Sequence, residues 1–135
     1  MNLLVDTSVW SLALRRDRPA DVPQVRRLRA ALEHGEALFT TGLILQELLQ
    51  GFDGPKARAA ILAQFQLLPM LVPDREDHVA AAELRNIVRR RGIQLATIDA
   101  LLAQLAIRHD LGFLTTDADF GRAAPLISLR LIEGE

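Results

Sequence analysis

Asp6, Glu47, Asp99 and Asp117 are the residues of this chain best suited to do chemistry together. Asp6 ends the first apolar run, Asn2-Leu3-Leu4-Val5-Asp6-Thr7-Ser8-Val9-Trp10, and Asp117 ends a late one, Gly112-Phe113-Leu114-Thr115-Thr116-Asp117. Glu47 shares a helical face with Leu43 and Ile44, and Asp99 shares one with Leu102, Ala103 and Ala106. A carboxylate on an apolar stripe is costly unless a cation meets it. The chain has no Cys and only three His. An all-oxygen ligand set favours Mg²⁺ or Mn²⁺ and argues against zinc. The chemistry such a set supports is metal-assisted attack on a phosphoryl group.

Each acid also has a plainer explanation. Asp6 and Asp117 could cap the helices that follow them. Glu47 could sit in a buried ion pair with an arginine, and Asp99 could be an acid in a first helical turn, where the dipole favours it. Jointly these require four coincidences at one edge of one sheet. A single bound cation accounts for all four. Other chemistries find less support. Ser8 lacks a G-x-S-x-G elbow, and no G-x-x-x-x-G-K-[ST] or G-x-G-x-x-G phosphate cradle is present. His34 and His109 fall in last helical turns, and His78 lies among acids, so nothing favours an imidazole acid–base pair.

The elements that must position the acids alternate. Residues 2–6, 37–40, 67–72, 113–115 and 127–132 read as strands. Residues 8–14, 23–34, 42–50, 55–65, 74–91 and 97–109 read as helices, with a helical turn at 119–124. Pro23 and Pro55 suit first helical positions, Gly35 and Gly92 suit helix stops, and Thr97 suits an N-cap. Strands alternating with helices predict an α/β layer with a mainly parallel sheet, whose sites lie beyond the carboxyl ends of the strands. Asp6 and Asp117 fall at two such ends.

A chain of 135 residues, half of them hydrophobic, suits one domain over residues 1–135 with a sizeable core. The absence of Cys fits a reducing cytoplasm. No run approaches the ~18 apolar residues of a spanning helix, so no membrane role is expected. Leu3 to Val5 is too short for a signal peptide. The net charge of −1 argues against a generic polyanion binder. Charge is nevertheless uneven, with arginine clusters at 15–29 and 85–91. The plain reading of most of them is a solvated helix face. One basic face near the site, with Arg15, Arg16, Arg89 and Arg90 as candidates, is expected if the substrate is nucleic acid.

The order Asp6-Thr7-Ser8-Val9, Glu47-Leu48 within a helix, Asp99 opening a helix, then Leu114-Thr115-Thr116-Asp117-Ala118-Asp119-Phe120 resembles the PIN-domain family, and more narrowly the VapC-type toxins of toxin–antitoxin modules. The likeness runs from Asn2 to about Ile132. It implies a three-layer α/β/α sandwich around a mainly parallel sheet. It also implies a Mg²⁺- or Mn²⁺-dependent endoribonuclease that cuts RNA with an activated water. Its expected partners are an RNA substrate, a second copy in a homodimer, and a small antitoxin covering the site. Carried over by position, Asp6, Glu47, Asp99 and Asp117 are the catalytic metal carboxylates. Asp119 is a candidate fifth acid, and Thr7, Ser8 and Thr116 are candidate supporting hydroxyls. Apolar residues from Phe65 to Val72 exceed what a short strand needs and suit the dimer. The alternatives are a PIN-fold module that binds RNA or protein without cutting, and a DNA-directed PIN nuclease. A receiver domain and a haloacid-dehalogenase-type phosphatase fit less well. The only Lys is Lys56, and Ser8 stands where the latter needs a second Asp.

Overall fold

The computed structural model describes residues 1–15 and 21–133. The elements follow in the order β1 (Leu3–Val5), α1 (Thr7–Ala13), α2 (Pro23–Glu33), β2 (Leu38–Thr41), α3 (Gly42–Gly51), α4 (Pro55–Phe65), β3 (Met70–Leu71), α5 (Arg75–Arg90), α6 (Thr97–Arg108), β4 (Gly112–Leu114) and α7 (Ala118–Ile127). The four strands form one parallel sheet in the order β3-β2-β1-β4. Helices flank it, as the α/β/α expectation requires. The contacts of α1 with α2 and α3, and of α3 with α4, form one group of helices. Those of α5 with α6 and α7 form the other.

β1 and β4 lie side by side and are wholly buried, which is why they read as unbroken apolar runs without alternation. Leu3, Leu4 and Val5 pair with Gly112, Phe113 and Leu114. Phe113 meets Phe120 of α7 with ring centroids 4.7 Å apart, and Trp10 of α1 meets Phe65 of α4 at 5.0 Å. These ring pairs tie helices on both sides to one core. Pro23 and Pro55 open α2 and α4, and Gly35 and Gly92 take φ of +67° and +80° where a left-handed residue must end the turn.

Three expectations need correction. Thr97 is the first residue of α6 and not its cap; Ala96 holds that position without a side-chain hydrogen bond. The apolar stretch 67–72 is strand only at Met70–Leu71, because Phe65 belongs to α4 and Pro69 precedes the pairing. Residues 127–132 do not form a regular strand. α7 runs on through Pro125 to Ile127, and Ser128 turns the chain at φ +60°. The tail then touches β4 through a single parallel bridge, Leu131 to Phe113. Phe113 N–H donates to Arg130 O at 2.9 Å and Ile132 N–H to Phe113 O at 2.9 Å. Gly112 permits this approach, since a Cβ there would lie 2.5 Å from Ile132 Cδ1.

Candidate active site

Asp6 follows β1 directly. Its backbone N–H donates to Leu114 O at 2.9 Å, carrying the β1–β4 ladder one residue past the strand. The same residue opens α1, but its carboxylate does not cap that helix. Asp6 Oδ2 instead accepts hydrogen bonds from Ser8 Oγ and Thr115 Oγ1, each at 2.8 Å. The carboxylate is 6% exposed. Burial raises its pKa, the two hydroxyls and the Thr7 backbone lower it, and the nearby negative charge of Glu47 raises it; the result is a rise.

Glu47 sits in α3, which the Thr41 side chain caps by accepting from Ile44 N at 3.1 Å. Glu47 Oε1 accepts from Thr7 Oγ1 at 2.9 Å, linking α3 to α1 across the site. Asp117 follows β4 and caps α7, its Oδ1 accepting from Asp119 N at 2.9 Å. The cap explanation therefore holds for Asp117, and it uses only one of its oxygens. Asp119 pairs with Arg122 and so carries its own cation.

Asp99 lies in the first turn of α6, half-buried. Burial pushes its carboxyl up to about 6, and the negative charges of Asp6, Asp117, Glu47 and Asp119 add to the rise. All the acids singled out in the sequence thus act on Asp99. Among the described residues, no salt bridge reaches Asp6, Glu47, Asp99 or Asp117. The buried-ion-pair explanation for Glu47 accordingly finds no partner there.

The hydroxyls were only partly legible. Thr7 Oγ1 donates to Glu47 and Ser8 Oγ donates to Asp6. Thr116 is exposed, and it is its backbone N–H that donates to Ser8 Oγ, at 3.1 Å. The hydroxyl that reaches Asp6 belongs to Thr115, which also accepts from Asp117 N at 3.0 Å. Strand alternation could have found it. Thr115 continues the buried run of β4, whereas Thr116 follows on the opposite face. Of the arginine candidates, Arg15, Arg89 and Arg90 are exposed, and Arg16 lies outside the described residues. Arg89 and Arg90 end α5, and a short loop returns the chain to Asp99, so they share one end of the α5–α6 pair with the site.

The donors present fit a hard divalent cation in kind. They are carboxylate and hydroxyl oxygens, and the carboxylates repel one another without a described counter-charge. They do not form a ready-made cage, since no three acids or histidines among the described residues sit close enough to hold an ion. That arrangement suits an ion of the Mg²⁺ type, which takes one or two carboxylates directly and keeps several waters.

The PIN-domain pattern matches residues 3–126. The chain is 32% identical over 130 residues to the VapC ribonuclease Mb1587 of Mycobacterium bovis, covering 95% of this chain and 96% of that protein. It has the same identity and coverage with ribonuclease VapC11 of Mycobacterium tuberculosis. Among solved structures, VapBC2 of Rickettsia felis, bound to a promoter DNA fragment, aligns over 100% of both chains with TM-score 0.76 at 18% identity. VapC20 of Mycobacterium tuberculosis, described as a sarcin–ricin-loop-cleaving toxin, aligns over 95% of this chain and 98% of that one with TM-score 0.67 at 21% identity. A buried acid at the end of β1, further acids that all act on Asp99, and a family match spanning most of the chain agree: this protein belongs to the PIN-domain family and is similar to its VapC ribonucleases.

Proposed function

We propose that the chain is the ribonuclease toxin of a toxin–antitoxin pair, a Mg²⁺- or Mn²⁺-dependent endoribonuclease whose site is Asp6, Glu47, Asp99 and Asp117. The observation that carries this reading is Asp99, pushed up to about 6 by burial and by the other acids, with no described cation opposing them. The ribonuclease names of its relatives support the substrate class.

A bound divalent cation would supply Lewis acidity toward water and the phosphoryl oxygens. The chain's own contribution is to place carboxylates. Ser8 and Thr115 fix Asp6 Oδ2, and Thr7 fixes Glu47 Oε1, so neither side chain needs to reorganise when substrate arrives. Asp99, half-buried in the first turn of α6, is placed to accept a proton from an attacking water at its carboxylate. Asp119 is balanced by Arg122 and contributes less than the four acids with no described ion pair. Arg89 and Arg90 stand at the same end and suit phosphates flanking the cut.

The partners belong to the same reading. The solved VapBC neighbours are toxin–antitoxin complexes, which supports a small antitoxin for this chain. A homodimer is supported by Leu67, Met70 and Val72, which are 78%, 44% and 74% exposed along the β3 edge. Met70 and Val72 line an apolar cleft of about 390 Å³ that reaches Leu101 and Leu105 of α6. Phe65, expected in the same patch, is instead buried against Trp10.

The test is cleavage of a defined single-stranded RNA by purified protein with Mg²⁺, with Mn²⁺ and with EDTA, beside Asp6→Asn. Cleavage that needs the metal and disappears in the variant is the expected result. Cutting that persists in EDTA overturns the metal dependence. Metal-dependent cutting of DNA but not RNA makes this a DNA-directed nuclease, and binding without cutting makes it a recognition module.

A further inference from the structure

A second cleft of about 430 Å³ opens beside Asp117. Thr115, Thr116 and Asp117 form one wall, and the N-terminal turns of α7 continue it through Ala118 and Gly121. The opposite wall comes from two distant segments, Pro23–Gln24 at the start of α2 and Leu131–Glu133 in the tail. The tail is held there by its backbone bonds to Phe113, and Gly112 leaves room for Ile132. Nothing in the proposed chemistry uses this cleft, although Asp117 belongs to both.

Its lining decides what it can take. Among the described residues no Lys, Arg or His lines it, whereas Asp117 and Glu133 do. A phosphate would be repelled there. Phe113, Leu131, Ile132 and Pro23 give it apolar surface against which a flat ring can lie, and the Gln24 amide and Glu133 carboxylate present one donor–acceptor group and one acceptor. The volume falls in the range of sites that hold a small organic group. Asp117 lies close enough to act electrostatically on Asp99 and also lines this cleft, so RNA held at Asp6 and Asp99 has a neighbouring nucleotide to offer it. Sequence-specific proteins read single-stranded RNA by stacking splayed bases and hydrogen-bonding their edges.

We propose that this cleft is a nucleobase subsite, taking one unpaired RNA base next to the cut, with Gln24 and Glu133 as the residues that read its edge. The inference rests on the ribonuclease reading and adds to it a source of sequence preference. Gln24 and Glu133 are positioning residues, since they touch a base and not the reacting atoms. Gly121 leaves open space for it, as nothing lies within 4 Å of where its Cβ would be.

Two measurements separate this proposal from the reading beneath it. In the first, RNA ends from a randomised single-stranded pool are sequenced after cleavage by wild type, Gln24→Ala and Glu133→Gln. The expected result is that preference at one position beside the cut falls at least about tenfold while preferences elsewhere persist. In the second, the ¹H–¹⁵N signals of the Gln24 side-chain amide and the Gly121 and Ala118 backbone amides are followed in Asp99→Asn protein. Short oligo-A, oligo-C, oligo-G and oligo-U and an abasic ribose-phosphate are titrated in turn. Shifts with the base-bearing oligomers, differing among them and absent with the abasic one, support the subsite even if wild type cuts no RNA. Unmoved amides together with unchanged cut-site preferences overturn it while leaving the nuclease intact. Amides that respond to an antitoxin peptide but to no oligonucleotide make the cleft a protein-docking groove and overturn it as well.

Discussion

The α5–α6 pair holds an acid at each end, and the two ends treat their acids in opposite ways. At one end Asp77 is wholly buried yet fully served. Its oxygens accept from Asp74 N at 3.0 Å and Gln104 Nε2 at 3.4 Å, and Arg108 Nε lies 2.7 Å away. It also completes a reciprocal capping box with Asp74. Burial alone would raise its pKa, but the Asp74 backbone, Gln104 and Arg108 together pull it below the usual carboxylate value. At the other end Asp99 is less buried and has no described cation, and its pKa rises to about 6. Depth of burial therefore does not separate the ion-paired acid from the one proposed to act on RNA. What separates them is whether the surroundings supply positive partners or further negative charge.

The largest expected effect breaks the functional end. Asp99→Asn removes a charge while nearly keeping the shape, and RNA cleavage should fall by ~10²–10⁴-fold, the usual worth of a positioned acid–base group. The metal-free fold should be as stable as wild type or more so, because a repulsion is relieved. Thermal melts in EDTA beside cleavage assays check both halves. A large loss of apo stability would place Asp99 with the structural acids. The converse change, Arg108→Ala, strands Asp77. Unfolding in urea should show a loss approaching but below the ~3–5 kcal/mol of a fully buried pair. The guanidinium is 39% exposed, and Asp77 keeps its Asp74 and Gln104 bonds. Cleavage per folded molecule should change little.

The same contrast appears as opposite slopes against pH. Asp99 is raised to about 6, so between about 4 and 6 the folded protein binds more protons than the unfolded chain, and apo stability falls as pH rises through that window; Asp6, raised by burial, acts in the same direction. Asp77 is lowered, and Glu36 is lowered to about 2 by hydrogen bonds from Arg27 against partial burial. Their contribution is present above ~4 and is lost as pH falls through the folded values. Urea midpoints from pH 3 to 7 in EDTA should therefore rise and then decline. Asp99→Asn should flatten the decline and leave the acid side unchanged. A decline that survives in the variant would assign the effect elsewhere.

Much of this was legible in the sequence because strand ends and helix starts carry strong local signals. Asp6 and Asp117 ended apolar runs, Pro23 and Pro55 opened helices, and Gly35 and Gly92 closed them. Asp77 was not distinguished from its acidic neighbours, since its partners Gln104 and Arg108 lie a helix away and only packing joins them. The tail was misread for a similar reason. Residues 127–132 alternate like a strand, but the pairing depends on how far α7 runs, and Pro125 did not stop it. Pro125 removes one donor to the Gly121 carbonyl and crowds it, yet α7 runs two residues further, to Ile127. Thr115 and Thr116 were separable only by which face of the chain each presents.

That last pair gives the smallest and sharpest test of how the functional end is built. Thr115 donates to Asp6 Oδ2 and accepts from Asp117 N, whereas the side chain of Thr116 points away from this network into solvent. Thr115→Val keeps the volume and removes the hydroxyl. Asp6 then loses the strongest of the hydrogen bonds holding its pKa down, so the pKa rises further and the acid limb of the pH–rate profile moves to higher pH. Cleavage at neutral pH should fall by ~10–100-fold, the usual cost of removing a group that orients a ligand side chain. Thr116→Val, whose side chain lines the neighbouring cleft and has no described bond to Asp6, leaves the backbone bond to Ser8 in place and should keep the wild-type pH–rate profile. Rate measurements from pH 5 to 8 on the two variants decide it. Equal losses in both would mean that the loop after β4 matters as a whole and that Thr115 does not act through Asp6.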